Sequence, residues 1–439
     1  MIKYAFSEGI LCFMYNFLNF YSLLLCKIFN GAIISIKCYI SLVVICDRKG
    51  DFGMFKAYVG SSVNADAALA GKEAASAVKA DGLKAAFVYM SCAYDVPKVV
   101  SAISDELPGV PVFGNTSFTG VITPEGYIGG DKPFVGILAL QDDDMTVSVV
   151  ASAKDGCSIA KGEDLAKKAM EKAGKKCAPA YFYMAASPAE EEKYLEGISK
   201  VIGRKPFFGG SAADNSIAGE WVLYGDGQNF ADGCVAAFFW GGAKITNLFT
   251  GAYRETDDYG VITKIGTERQ LVEIDGVKAT EKYASWRNLD KEAVTGGNLL
   301  VTTITSPLGV KDRLGKLIAI RHPMNGNDDG SMNVGNVLTE KTVVIRMEAT
   351  VDELIDSTGN TLKALIEKMP GKPLAFHLVH CGGRRAGIGD RIGEVAKQLK
   401  DAAGDVPFIC EFTFGEYGFE RDGENTCGGL MLSFTGFYE

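Results

Sequence analysis

Residues 373–418 read PLAFHLVHCGGRRAGIGDRIGEVAKQLKDAAGDVPFICEFTFGEYG. Leu374–Val379 is a continuous apolar run, the pattern of a strand covered on both faces. A loop follows, Cys381-Gly-Gly-Arg384, and then a helix over Gly387–Lys400. Pro407–Phe412 is a second buried strand, ending in the turn Gly415-Glu416. A parallel pair of strands needs such a crossover, so this stretch predicts a strand–helix–strand unit.

Two earlier stretches share the layout. In the first, strand Lys84–Met90 is followed by Ser91-Cys92, helix Pro97–Leu107 and strand Val110–Phe113, broken by Gly114-Asn115-Thr116-Ser117. The second has strand Ala180–Met184, Ser187-Pro188, helix Glu190–Ile202 and strand Pro206–Phe208, broken by Gly209-Gly210-Ser211. Met90 lies 21 residues before Pro111 and Met184 lies 22 before Pro206, so the spacing is that of a repeat. Further strands follow each unit. Phe134–Leu140 and Thr146–Ala151 are expected to be antiparallel neighbours. Asn325–Gly330 has the composition of a hairpin turn. The predicted fold class is α/β, with repeated strand–helix–strand units in mixed sheets with antiparallel extensions. Length suggests two domains, and the break is placed near Gly276, where a strand-rich segment gives way to helix and irregular chain, giving 54–275 and 276–439.

The chain has 439 residues, 47% hydrophobic and 23% charged, with a net charge of -9. No basic run interleaves with aromatics, which argues against nucleic-acid partners. The 11 cysteines are scattered and no CxxC occurs, as in a reduced, cytoplasmic protein. Residues 1–53 differ from the rest, being apolar and holding four of the cysteines. Gly9–Cys26 approaches the length that spans a bilayer. The leader therefore reads either as a mis-set start, with Met54 the true one, or as a membrane anchor through residues 9–46. A signal peptide fits less well, because the apolar stretch is too long.

In open α/β sheets, ligands bind beyond the carboxyl ends of the parallel strands. That edge carries Asn115, Ser117, Gly210, Ser211, Cys381, Arg384, Gly415 and Glu416, mostly small residues that hydrogen-bond. Arg384 can hold a carboxylate and Glu416 an ammonium group, a pair suited to a zwitterion, although the two could instead bridge each other. Cys381 could act as a nucleophile with His380 or Glu416. Adjacent strand residues face opposite sides, however, which separates His380 from Cys381. The same geometry argues against a metal on His377 and His380. Gly309–Leu317 resembles a P-loop with one residue too many, and it lacks the Ser or Thr. Gly387–Gly393 resembles a dinucleotide fingerprint with faulty spacing, for which Glu411 would be the ribose acid. No catalytic residue, cofactor or metal is therefore assigned.

His377-Leu-Val-His-Cys381-Gly-Gly-Arg384 and Pro407 to Glu416 resemble the C-terminal FIST domain. Pro111–Gly120 and Phe208–Asp214 resemble two glycine turns of the N-terminal FIST domain. The resemblance extends over about residues 55–437. It implies a sensory domain of signal transduction that binds small ligands such as amino acids, without established catalytic residues. No kinase, chemotaxis or F-box module accompanies it, so output would pass through a separate signalling protein. Two other readings stay open: an enzyme using a strand-edge Cys or carboxylate, and a membrane-tethered receptor.

Overall fold

The first copy of the repeat begins before its recognisable strand, at β1 (Lys56–Ser62), followed by α1 (Ala67–Val78). This computed structural model describes residues 55–311, 317–419 and 425–439, so the leader and its anchor reading lie outside the described residues. The copy continues through β2 (Leu83–Met90), α2 (Val96–Glu106), β3 (Val112–Thr116), the hairpin β4–β5 (Gly120–Thr123, Gly126–Gly129) and β6 (Val135–Gln141). The second copy repeats the order: β7 (Thr146–Ala153), α3 (Ser158–Lys172), β8 (Tyr181–Ala186), α4 (Glu191–Ile202), β9 (Phe207–Ser211), the hairpin β10–β11 (Leu223–Gly225, Gln228–Phe230) and β12 (Gly233–Trp240).

The third copy opens with β13 (Lys244–Thr250) and is then interrupted by an insert. The insert holds β14 (Arg254–Ile265), β15 (Gln270–Ile274), β16 (Val277–Lys278), α5 (Ala279–Arg287), α6 (Asn298–Thr303), β17 (Leu308–Lys311), β18 (Leu317–Arg321), β19 (Pro323–Gly326), β20 (Met332–Val334) and β21 (Val343–Glu348). The copy resumes with α7 (Val351–Lys368), β22 (Pro373–Cys381), α8 (Gly382–Ile388), α9 (Ile392–Ala403), β23 (Phe408–Thr413), the hairpin β24–β25 (Glu416–Phe419, Asn425–Gly428) and β26 (Leu432–Tyr438).

Each copy builds a four-stranded core in which the two strands flanking the crossover are parallel: β2 with β3, β8 with β9, β22 with β23. Each core is extended by a hairpin from another copy. β10–β11 joins β3, β24–β25 joins β9, and β4–β5 joins β23, so the three copies exchange hairpins in a cycle. The fold class is mixed α/β with antiparallel extensions, as the sequence predicts. Strands from both sides of Gly276 share three of the four sheets, and Gly276 itself is the turn between β15 and β16. Phe134–Leu140 and Thr146–Ala151 are not neighbours, contrary to the sequence reading. β6 pairs with β1 and β2, whereas β7 pairs with β12, because the turn after β6 starts a new copy.

Alternation within the apolar runs explains the layering. In β2, Ala85, Phe87 and Tyr89 point into a core shared by all three copies, while Ala86, Val88 and Met90 pack under α1 and α2. In β8, Tyr181 and Tyr183 take the inner side, and Phe182 and Met184 the side of α3 and α4. The side chains of Phe87, Tyr183 and His377 meet at the centre, with ring centroids 5.3–5.6 Å apart. They are equivalent positions, each preceding the residue that pairs with Gly114, Gly209 or Cys410. Gly114 (φ 152°) and Gly209 (φ 129°) are required there, because a Cβ would come within 1.9 Å of the Val88 carbonyl oxygen or 2.0 Å of that of Met184. Capping sets the helix starts. Thr350 and Glu353 form a capping box at α7, an arrangement worth about 1 kcal/mol.

Candidate functional site

The eight edge residues fall into two groups, and all of them are buried. Another copy's strands cover Asn115, at β10, and Gly210, at β24, whereas Cys381 and Arg384 are covered from within the third copy, by Leu430 and by α7. Gly210, Ser211, Cys381, Arg384, Gly415 and Glu416 come together where β24 joins β9. Glu416 is the register partner of Gly210. The Ser211 amide donates to the Gly415 carbonyl (2.8 Å), and the Phe414 amide to the Ser211 carbonyl (3.1 Å). The Ser211 hydroxyl meets that of Tyr417 at 2.9 Å.

Cys381-Gly-Gly-Arg384 is not the loop its glycines suggest, but the start of α8. Cys381 supplies the cap, its Sγ accepting from the amides of Gly383 (3.3 Å) and Leu430 (3.2 Å). Arg384 is thereby placed in the first helical turn and turned inward. Its Nη2 donates to the Leu354 carbonyl (2.8 Å) and the Ser357 hydroxyl (2.6 Å). Its Nε and Nη1 have no partner, and among the described residues no carboxylate lies within 4 Å of it. The Arg384–Glu416 bridge allowed by the sequence is therefore not formed. Glu416 instead accepts from the Thr413 hydroxyl (3.0 Å) and the Met431 amide (2.9 Å). Burial raises its carboxyl to about 8, against smaller opposing effects of those bonds and of Arg384. Burial lowers Arg384 from its usual range, opposed by nearby Tyr253, Cys381 and Glu416.

Asn115 and Ser117 lie where β4 joins β23. The Ser117 hydroxyl donates to the Gly120 carbonyl (2.7 Å) and accepts from the Phe412 amide (2.9 Å), a structural bracket. Asn115 belongs to a network that the sequence does not single out as a unit. Its Nδ2 donates to Glu411 Oε2 (2.9 Å) and its Oδ1 accepts from the Tyr183 hydroxyl (3.0 Å). Tyr183 accepts from the Tyr89 hydroxyl (3.3 Å), and Tyr89 bonds to Nε2 of His377. Burial pushes Glu411 up to about 8, and pushes His377 down to about 3. At 3.6 Å these two are neutral neighbours rather than an ion pair. Read one at a time from the sequence, His377 and Glu411 serve as metal and ribose candidates. The available signal is the presence of ionisable residues in the middle of doubly covered strands.

A third polar cluster escapes the sequence reading entirely. Glu191, in the first turn of α4, pairs with Arg269 (3.3 Å) and accepts from Asn336 Nδ2 (3.3 Å). Glu192 joins both. Burial first, and Glu192 second, raise Glu191 to about 7. This cluster ties the insert to the second copy.

Nucleophilic chemistry finds little support in this arrangement. Burial pushes the Cys381 thiol well up, and burial together with Arg384 holds His380 well below its ordinary value. The His380 ring nitrogen Nδ1 bonds to the Cys381 carbonyl oxygen (3.0 Å), not to the thiol. Among the described residues no group of three or more His, Cys, Asp or Glu is placed to hold a metal. Also among them, no helix is long and apolar enough to cross a membrane. Gly387–Gly393 spans the end of α8 and the start of α9 rather than a strand-to-helix turn, so the fingerprint reading fails in its context. The P-loop resemblance falls largely on residues 312–316, outside the described residues.

Several solved structures are similar to the chain at low identity. Cyanuric acid hydrolase from A. caulinodans is 9% identical, with a TM-score of 0.33, over 87% of this chain and 99% of that one. A chorismatase is 8% identical, with a TM-score of 0.35, over 88% and 99%. PurL from T. maritima, complexed with AMPPCP, is 10% identical, with a TM-score of 0.23, over 89% and 73%. No curated protein matches the chain. The FIST N domain model matches residues 84–277 and the FIST C domain model residues 279–418. The chain thus belongs to the FIST family, whose domains are small-ligand sensory domains of signal transduction.

Proposed function

We propose that the protein senses an amino acid or a similar small zwitterion in the cytoplasm and relays its state to a separate signalling protein. The observation that carries this reading is Arg384, a fully buried guanidinium with two nitrogens unpartnered and no carboxylate in contact among the described residues. A buried cation without a counter-charge is costly, and a ligand carboxylate would relieve that cost. Glu416, protonated beside it, would ionise when an ammonium group arrives. Cys381, Gly210, Ser211 and Gly415 form the surrounding wall, and Asn115 and Ser117 brace the neighbouring junction. Entry would require the segment around Leu430, which bonds to Cys381 and lies next to Glu416's partner Met431, to move aside.

Thermal unfolding with a panel of amino acids and small acids tests the proposal. A true ligand at a hundredfold excess over its dissociation constant stabilises the fold by about 2.7 kcal/mol. Absence of any shift across the panel would remove the amino-acid reading. A shift that survives in both Arg384→Gln and Glu416→Gln would remove these residues as anchors.

A further inference from the structure

A second, open site lies one residue further along α8. A pocket of about 790 Å³ is lined by residues including Tyr127, Asp131, Arg385, Asp390, Gly393 and Lys400. It sits where the β4–β5 hairpin of the first copy meets α8 and α9 of the third, and its size suits a small molecule. Arg385 is the group that gives it character. Its guanidinium stacks on the Tyr127 ring, 5.0 Å from the centroid, and donates to the Gly389 carbonyl (2.9 Å) and the Tyr127 hydroxyl (3.1 Å). Both acceptors are neutral. Among the described residues no carboxylate lies within 4 Å of Arg385 or of Lys400. The Tyr127 hydroxyl already donates to the Thr119 carbonyl (2.7 Å), so its orientation is fixed and it in turn fixes Arg385. Two of the five guanidinium hydrogens are used in these bonds, and each terminal nitrogen keeps one more.

We propose that this pocket binds a small molecule carrying a doubly charged oxyanion, a phosphate ester or a dicarboxylate, with Arg385 as its anchor. The guanidinium is pre-oriented, which lowers the cost of ordering it, and among the described residues no carboxylate is in direct contact with it. Lys400 adds a second positive charge two turns along α9, whose flank from Gly393 to Lys400 forms one wall of the pocket. The exposed carboxylates of Asp131 and Asp390 also line the pocket, where they would accept from a hydroxyl or amine on the ligand. This inference is independent of the Arg384 reading, because the two guanidinium groups have different partners and different access.

The test is calorimetric titration of the full chain with inorganic phosphate and, separately, with succinate, using succinamide as the uncharged control. Saturable binding of at least one oxyanion, and none of succinamide, is expected; the stronger arm identifies the source. Arg385→Gln should weaken binding at least tenfold. That variant could lose the packing on Tyr127, so Gly393→Glu provides a second route. A Cβ at Gly393 meets nothing within 4 Å, so the variant should fold, fill the pocket with a like charge and abolish binding. Lack of saturable binding by both oxyanions, or wild-type affinity in Gly393→Glu, overturns the proposal. An amino-acid thermal shift that persists in Gly393→Glu keeps the Arg384 reading separate from this outcome.

Discussion

Replacing Glu411 by Gln should flatten the pH dependence of stability in a defined window. Glu411 is fully buried, and burial raises its carboxyl from 4.5 to about 8. Between those values the folded chain holds a proton that the unfolded chain has released. The folded state therefore binds more protons, and stability must fall as pH rises. The slope approaches about 1.4 kcal/mol per pH unit for one group. Glu416, also at about 8, adds a similar slope, and Glu191, at about 7, adds a weaker one. The histidines act in the opposite sense. His377 and His322 are depressed by burial to about 3 and about 4, so below their ordinary value near 6.5 the unfolded chain takes up protons that the fold refuses. Burial holds His380 down in the same way. At pH 6.5 the unfolded histidines are still half protonated, so their contribution keeps rising and is complete only about one unit higher. Over pH 6.5–7.5 the carboxyls outweigh the histidines, which still oppose them by about 1 kcal/mol. Urea unfolding there should show the wild type losing roughly 2 kcal/mol across that one unit. Glutamine copies the shape of the protonated acid and keeps an acceptor for Asn115, so the variant should lose about 1.4 kcal/mol less. Equal slopes in the two proteins would show that Glu411 is not protonated in the fold, and the neutral network described above would then be wrong.

Three further outcomes follow from the same geometry. Iodoacetamide should modify Cys157 and Cys177, which are exposed, long before buried Cys381, as read by peptide mass spectrometry; rapid labelling of Cys381 in folded protein would favour the enzyme reading. Gly209→Ala should destabilise the protein by about 2 kcal/mol or more, because the new Cβ meets the Met184 carbonyl at 2.0 Å in a left-handed backbone; a urea midpoint like the wild type's would contradict this. Gly393→Ala should do the opposite, gaining up to about 1 kcal/mol from helix propensity in open space, and a loss of stability would show that the α9 start is not free.

The repeat was legible because its strands are covered on both faces and so read as unbroken apolar runs. Lys84–Met90 and Ala180–Met184 could not be anything else once their glycine breaks and helix starts were aligned. The hairpin exchange was not legible. Gly120–Thr123 pairs with a strand almost 300 residues away, and nothing in a four-residue strand specifies a distant partner. That gap explains why Asn115 and Gly210 read as an open lining, when neighbouring hairpins in fact cover them; Cys381 and Arg384 are closed over by α7 and Leu430 of their own copy. Arg384 and Glu416 lie near one another, but their charge states depend on burial, which residue type does not reveal. The helix at Gly382–Ile388 was hidden by its glycines, since a cysteine cap is an uncommon start signal. Glu191 and Arg269 lie 78 residues apart, and only the docking of the insert brings them together.

The exchanged hairpins also set the order of events on the ribosome. The first copy emerges with β4–β5 already synthesised, yet its partner strand β23 is almost the last element made. At about 5–20 residues per second, that hairpin waits on the order of tens of seconds for its sheet. The edge of β3 waits for β10, and that of β9 waits for β24. Each waiting edge is an open row of backbone groups that can pair with a neighbouring nascent chain. Three homologous edges and three homologous hairpins in one polypeptide make mispairing between copies, or between molecules on one polysome, the characteristic hazard of this architecture, and slow synthesis would lengthen the exposure.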